Sequence, residues 1–394
     1  MRKQIIFGEP SIGKEEINYI SKVVRSKWIG SGQVTEKFEK KFKIYKNSKY
    51  ALSVNSCTAA LHLSLIYCGI KRNDEVITTP MTFASTINSI AMVGAKPILA
   101  DIDPETFNIN PKNIEKKITK KTKAILIVHL AGLPCDLNKI LKIAKKYKLK
   151  IIEDCAQSQG AKYKNQFVGT IGDFGCFSFY PTKILGAYGD GGFITTNSVK
   201  MFNTIRRLRF YGIEQNDKKN KFNGLYYSNE HGLNSRLDEI HSSILNIKVK
   251  KVKNFIKKRR QLAHSYSKEL KDTSLLLPRE NINCKHVYHL YTVYHPKRLK
   301  IIKALEKKKI KINIYYPYPI HKMKGFFSRK NKNYKLPITN KIYKGIFSLP
   351  LYPELKSIHL KHLTICTQNT LRKVTKGKWF VLMLHTRIRG LRDF

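Results

Sequence analysis

Acidic side chains are what this 394-residue chain has least of for its size: 27 Asp and Glu stand against 75 Lys and Arg, a formal charge of +48. Patterned cysteines are missing too. The seven present (57, 68, 135, 155, 176, 284 and 366) are odd in number, scattered and never spaced as CxxC, which excludes a zinc ribbon and fits a disulfide scaffold poorly. No run approaches the roughly 20 apolar residues that a bilayer span needs; the longest uncharged stretch, 76–95, contains Pro80 and several Ser and Thr. The opening MRKQIIFGEPSIGKEE holds no apolar signal-peptide core. These absences predict a cytoplasmic protein with no transmembrane segment. HExxH is absent, and the close pair His359 and His362 reads as surface rather than as ligands, so no metal is expected.

A charge of +48 is the composition of a nucleic-acid binder, because clustered Lys and Arg neutralise phosphates and release counterions. Its distribution argues otherwise. Residues 1–249 carry 39 basic and 21 acidic side chains, whereas residues 250–394 carry 36 and 6. Runs such as Lys257-Lys258-Arg259-Arg260 and Lys307-Lys308-Lys309 sit in helical patterns without the aromatic interleaving of a base-stacking surface. The excess therefore reads as a solvated face that also draws small anionic substrates. A basic nucleic-acid or anionic-surface binding protein on a retained fold is the alternative.

At 42% hydrophobic the chain can bury a core, and its length suggests two or three domains. From about Ile17 to Leu245, short β-branched runs alternate with helical periodicity: YALSVNS, DEVITTP, KPILADID, KAILIVHL and KIIEDCA each end in a polar or Gly/Pro turn. That is the grammar of a parallel α/β sheet with crossover helices, in which ligands lie beyond the carboxyl ends of the strands. The loops after Val54, Thr79, Val128 and Ile152 are thus the ones to inspect. After Asn234, Ile240, Ile244, Ile247, Val249, Val252 and Ile256 recur at helical spacing, a bridge running towards Tyr266 and into a smaller α+β domain. There HVYHLYTVYH reads as a strand and Leu299 to Lys309 as a helix. The expected division is 1–249, a large α/β domain with its N-terminal segment; 250–365, the small domain; and 366–394, an atypical basic tail read as having no role of its own.

Chemistry concentrates in IIEDCAQSQGAKYKNQFVGTIGDFGCFSFYPTKILGAYGDGGFITTN. Asp154 ends an apolar strand, where a carboxylate is expensive to desolvate without a cationic partner. Lys183 follows another apolar strand and precedes a Gly-rich turn. The two could be a structural ion pair, but Ser56-Cys57-Thr58 at a helix N-terminus adds a cradle for phosphate. A reactive lysine, a carboxylate and a phosphate cradle are what pyridoxal 5'-phosphate requires.

The chain resembles the DegT/DnrJ/EryC1/StrS family of sugar-nucleotide aminotransferases over about residues 5–360. The motifs NSCTAALHLSL, TPMTFASTINSI, VHLAGLPCDL, EDCAQSQGA, GDFGCFSFYPTKILGAYGDGG, GLNSRLDEIHSSIL, YYPYPIHK and SLPLYP follow in the family's order. The resemblance implies the fold type I, aspartate aminotransferase-like architecture with pyridoxal 5'-phosphate as cofactor. It makes Lys183 the Schiff-base lysine and proton shuttle, and Asp154 the partner of the pyridine nitrogen. Gln157 falls at the residue that meets the cofactor's phenolic oxygen. Cys57, Thr58 and Ser178 fall at phosphate-binding positions, with Cys57 standing where Gly is common. Phe83 matches the aromatic that stacks on the ring, although its apolar helix would equally suit core packing.

Asn234 matches a residue that reaches the cofactor phosphate of the neighbouring subunit, implying a homodimer with shared active sites. Gly30, Ser31, Arg236, Tyr315, Tyr316 and His321 occupy positions near the sugar nucleotide. The wording most resembles the subgroup that aminates the 3-keto carbon of nucleotide-linked deoxyhexoses or hexuronic acids, with 4-keto sugars as the close alternative. L-Glutamate is the implied amino donor and an amino sugar for surface polysaccharide the implied destination. Dehydratases of the family replace the lysine by His, so Lys183 argues against that branch.

Overall fold

The computed structural model describes residues 4–214, 226–326 and 334–375. Its strands are β1 (Tyr50–Val54), β2 (Glu75–Thr78), β3 (Lys96–Leu99), β4 (Thr122–Val128), β5 (Lys150–Asp154), β6 (Lys162–Tyr163), β7 (Gln166–Phe167), β8 (Phe174–Ser178), β9 (Gly192–Thr196), β10 (Cys284–Lys285), β11 (Tyr291–Tyr294) and β12 (Ile346–Leu349). Seven form the central sheet in the order β1-β9-β8-β5-β4-β2-β3. Every neighbouring pair is parallel except those made by β9, which runs against both β1 and β8. The mainly parallel α/β sheet expected from the alternating runs is present. The reversal at β9 follows from its connection: the chain turns back from β8 through the Gly-rich 186–192 loop rather than crossing over by a helix.

Strands of this sheet are apolar on both faces because both faces are covered. On one face the helix Gln33–Lys46 lays Phe38 and Phe42 against Phe177, Phe179 and Phe193; Phe42 and Phe193 lie 4.6 Å apart and Phe42 and Phe177 meet edge to face at 5.4 Å. On the other, the helix Cys57–Tyr67 is apolar almost all round, so Leu61, Leu63 and Leu65 are buried against Val54, Val76 and Ile152. Its start is fixed by Ser56, whose Oγ accepts the Ala59 N–H at 3.1 Å.

The second core surrounds the β11–β12 pair, the helices Arg298–Glu306 and Ser357–Val374, and the far end of the 32-residue helix Glu239–Leu270. The expected strand HVYHLYTVYH contracts to Tyr291–Tyr294, because residues before it pack on the turn at Gly132 instead. The division drawn at 249/250 falls inside the long helix, and the one at 365/366 inside Ser357–Val374. Ile5 pairs in parallel fashion with Ile310, its N–H and carbonyl bonding Lys309 and Lys311 at 2.9 Å, so the N-terminal segment joins the smaller unit. Residues 376–394, most of the basic tail, lie outside the described residues. Among those described, no helix is long and apolar enough to cross a membrane.

Phe42 holds one aromatic cluster against β8 and β9, so Phe42→Ala is expected to cost about 3–5 kcal/mol, read as a lower denaturant midpoint at unchanged slope.

Candidate active site

The carboxyl ends of β1, β2, β4 and β5 and the 178–191 segment open onto one cavity of about 480 Å³. Ser56, Cys57 and Thr58 enter it from the loop after β1, Thr82, Phe83 and Ser85 from that after β2, and Asp154, Ala156 and Gln157 from the end of β5. Ser178 and Lys183 complete that side, while His289, Leu290, Tyr315 and Tyr316 close it from the smaller unit.

Asp154 is 4% exposed. One oxygen accepts the Ala156 N–H at 3.1 Å and the other the Thr86 hydroxyl at 3.0 Å; Thr86 in turn bonds Thr82 at 2.7 Å. Burial pushes the carboxyl above its ordinary pKa, against the pull of these bonds and the charge of Lys183. Burial likewise pushes the Lys183 amine below its ordinary value, opposed by the charge of Asp154. Each group therefore moves towards its neutral form for the same reason, loss of water.

Glu153 points to the opposite face, as strand alternation requires. Its carboxylate takes His129 Nε2 at 3.0 Å and the backbone N–H groups of Gly169, Ile171 and Gly172 at 2.8, 3.0 and 2.7 Å. His129 Nδ1 accepts the Cys135 N–H at 3.0 Å, which places the ring proton on the nitrogen facing Glu153. His129, Glu153 and Cys155 are close enough to hold a cation together, but these bonds already occupy both Glu153 oxygens and both His129 ring nitrogens. The cluster anchors β5 beneath Asp154.

Gln157 is fixed at both ends: Oε1 accepts the Ala131 N–H and Nε2 donates to the Tyr316 hydroxyl, each at 2.7 Å. A Cβ on Gly192 would stand 2.3 Å from the Ser56 carbonyl carbon and 2.7 Å from Cys57 N, so only glycine lets β9 lie this close to the helix N-terminus. Phe83 is exposed at the cavity edge, its ring 6.3 Å from that of Tyr316, which removes the core-packing reading.

Nine of the residues singled out by sequence thus converge: Cys57, Thr58, Phe83, Asp154, Gln157, Ser178, Lys183, Tyr315 and Tyr316. Gly30, Ser31, Asn234, Arg236 and His321 do not line this cavity within one chain. The Gly30 carbonyl accepts Glu239 N–H at 3.0 Å and that of Ser31 accepts Trp28 Nε1 at 3.3 Å. Arg236 lies over the Phe210 ring at 4.2 Å and reaches the exposed Asn234 at 3.4 Å. His321 Nε2 meets Asn340 Oδ1 at 3.0 Å. Sequence reasoning missed Thr86, Tyr180, Asp190 and His289. Thr86, one turn beyond Thr82, could have been found by helical spacing; His289 comes from a distant segment and left no local signal.

The sequence profile of the DegT/DnrJ/EryC1/StrS aminotransferase family matches residues 10–366. The chain belongs to that family. This aminotransferase is 38% identical over 345 residues to the dTDP-3-amino-3,4,6-trideoxy-alpha-D-glucose transaminase of Micromonospora megalomicea subsp. nigra, covering 86% of this chain and 90% of the relative. It is 39% identical over 340 residues to the dTDP-3-amino-3,6-dideoxy-alpha-D-galactopyranose transaminase of Aneurinibacillus thermoaerophilus, covering 86% and 91%. The crystal structure of S. venezuelae DesV superposes with a TM-score of 0.85 at 30% identity, over 90% of this chain and 94% of that one.

The family's enzymes depend on pyridoxal 5'-phosphate, and the aminotransferase's cavity fits it. A primary amine, a buried carboxylate and a helix N-terminus with hydroxyl groups beside it are the complementary donors and acceptors for an aldehyde, a ring nitrogen and a phosphate.

A carboxyl whose pKa is raised on folding binds its proton more tightly folded than unfolded, so ionising it withdraws stability as pH rises from the unfolded to the folded value. Cofactor-free Asp154→Asn is therefore expected to gain in melting temperature relative to wild type as pH rises above about 4, the ordinary carboxylate value. A constant or falling difference would show that Thr86, Ala156 and Lys183 outweigh the desolvation.

Proposed function

We propose that this aminotransferase carries an amino group from L-glutamate to the keto carbon of a nucleotide-linked deoxyhexose or hexuronic acid, at C3 rather than C4, making an amino sugar for surface polysaccharide. The observation that carries the reading is Lys183 and Asp154 in one cavity beside the N-terminus of Cys57–Tyr67. The choice of C3 is supported by the two relatives named above for 3-amino sugars.

When bound, the cofactor supplies an electron sink for the carbon that loses its proton. Lys183 holds it by its aldehyde carbon; the depressed pKa of the amine raises the fraction able to attack near neutral pH. Once its amine is free, Lys183 Nζ would take the proton from the donor's α-carbon and hold it for return, and would run the same shuttle in reverse for the sugar. Asp154 holds the proton of the ring nitrogen, and that positive charge offsets the burial that otherwise raises its carboxyl. The amides of Cys57 and Thr58 with the Ser178 hydroxyl bind phosphate. Phe83 covers the ring, and Gln157, pinned by Ala131 and Tyr316, orients the phenolic oxygen.

Tyr315 and Tyr316 face the sugar. Gly30, Ser31, Arg236 and His321 complete the sugar-nucleotide side, and Asn234 reaches the cofactor phosphate of a second copy, in a cytoplasmic homodimer with shared sites. The basic surface draws the nucleotide's diphosphate into this field.

The wild-type protein with cofactor should absorb near ~420 nm, the Schiff-base region, and lose that band on addition of L-glutamate. Lys183→Ala should show no such band and lose at least about a thousandfold in turnover, and Asp154→Ala should fold and bind yet lose roughly a hundredfold. Mass spectrometry of keto-sugar nucleotides incubated with L-glutamate reads the product directly. A folded wild type without the band would remove the proposal.

A further inference from the structure

His289 lines the same cavity as Lys183 and Asp154, yet the chemistry above gives it no part. The residue is 8% exposed, and its Nδ1 is buried without a hydrogen-bond partner among the described residues. Native proteins rarely leave such an atom unsatisfied without a use for it. Its backbone is held from two sides. The His289 carbonyl accepts Arg259 Nη1 at 3.1 Å, together with the carbonyls of Tyr288 and Leu351 at 3.3 and 2.8 Å. Its N–H sits on the Gly132 turn, where an added Cβ would stand 3.1 Å from His289 N and 3.0 Å from the Gln157 carbonyl oxygen. One turn therefore positions both His289 and Gln157.

The charged groups facing this ring are Lys183 and Arg259, and Lys183 itself faces Asp154 and Cys57. Burial first, then the two cations, hold the imidazole pKa well below its ordinary value. A neutral imidazole offers one N–H and one lone pair, and beside two cations the lone pair is the useful part.

We propose that His289 is a positioning residue whose ring nitrogen would accept a hydrogen bond from the Lys183 amine in protein loaded with pyridoxamine phosphate, where the amine is released from the cofactor, holding it for the proton transfer. The proton stays on Lys183, and His289 makes and breaks no covalent bond. The inference rests on the reading of Lys183 as the cofactor-holding lysine.

A hydrogen bond accepted from Lys183 favours its ammonium form, so removing the acceptor moves the titration of Lys183 to lower pH. The readout is competitive acetylation of Lys183 by acetic anhydride across pH, in protein loaded with pyridoxamine phosphate, followed by peptide mass spectrometry. On the acidic limb, His289→Phe and His289→Leu should label roughly tenfold faster than wild type, while His289→Gln, which keeps an acceptor, should stay within about twofold. The two apolar variants differ in shape, so failure of one to fold leaves the other to decide. A wild-type profile in the apolar variants would overturn the proposal, as would an equal shift in His289→Gln. A ~420 nm band surviving in Lys183→Ala would instead remove the premise; a band lost there with unshifted His289 variants would remove only the role of His289.

Discussion

Two adjacent carboxylates leave water at the end of β5, and most of the cavity's architecture answers that fact. Removing an ionised carboxylate from water costs several kcal/mol unless donors replace the solvent. Glu153 receives four donors, three of them backbone N–H groups of the 169–172 turn, and stays below its ordinary pKa although burial pushes it up. Asp154 receives two and, at 4.0 Å, the weakly donating thiol of Cys57, and burial wins. The difference sets their electrostatics apart. A fully satisfied carboxylate is an anchor, whereas an under-satisfied one retains its appetite for a cation, and it is the second that faces the cavity.

The same economy of space governs the wall opposite. The helix Cys57–Tyr67 can present its first amides only because β9 passes at Gly192 without a side chain. Gly175 on β8 serves the layer below, where a Cβ would collide with the Gly169 carbonyl. Glycine at these points lets the turn that feeds Glu153 and the helix end beside Asp154 approach the same pair of strands, β8 and β9.

Much of this was legible in the sequence. Apolar β-branched runs ending in polar turns located the strands, and the rule that ligands lie beyond their carboxyl ends picked out the loops that do line the cavity. Asp154 stood out as a charge in an apolar run and Lys183 as a lysine between such a run and a Gly-rich turn. What stayed hidden depends on contacts far apart in the chain. The reversal of β9 is a property of pairing, not of local pattern. Ile5 joins the smaller unit through a bridge to Ile310, about 300 residues away in sequence. His289 sits in a segment that looks like strand, but its backbone is committed to Arg259 and Gly132, and neither partner announces itself locally.

The helix Glu239–Leu270, about 48 Å long at 1.5 Å per residue, belongs to both units at once. Near its start Glu239 takes the N–H groups of Val34 and Thr35, and Lys248 donates to the Gly186 carbonyl at 2.9 Å in the loop after Lys183. Further along, Arg259 and Tyr266 bond the carbonyls of Leu351 and Pro350 at 2.8 and 2.7 Å. Loss of either half would strip a packing surface from the other, so the two hydrophobic cores form one cooperative unit rather than two beads on a string. A ligand gripped in the cavity, which both halves enclose, then stabilises the whole rod and everything folded onto it.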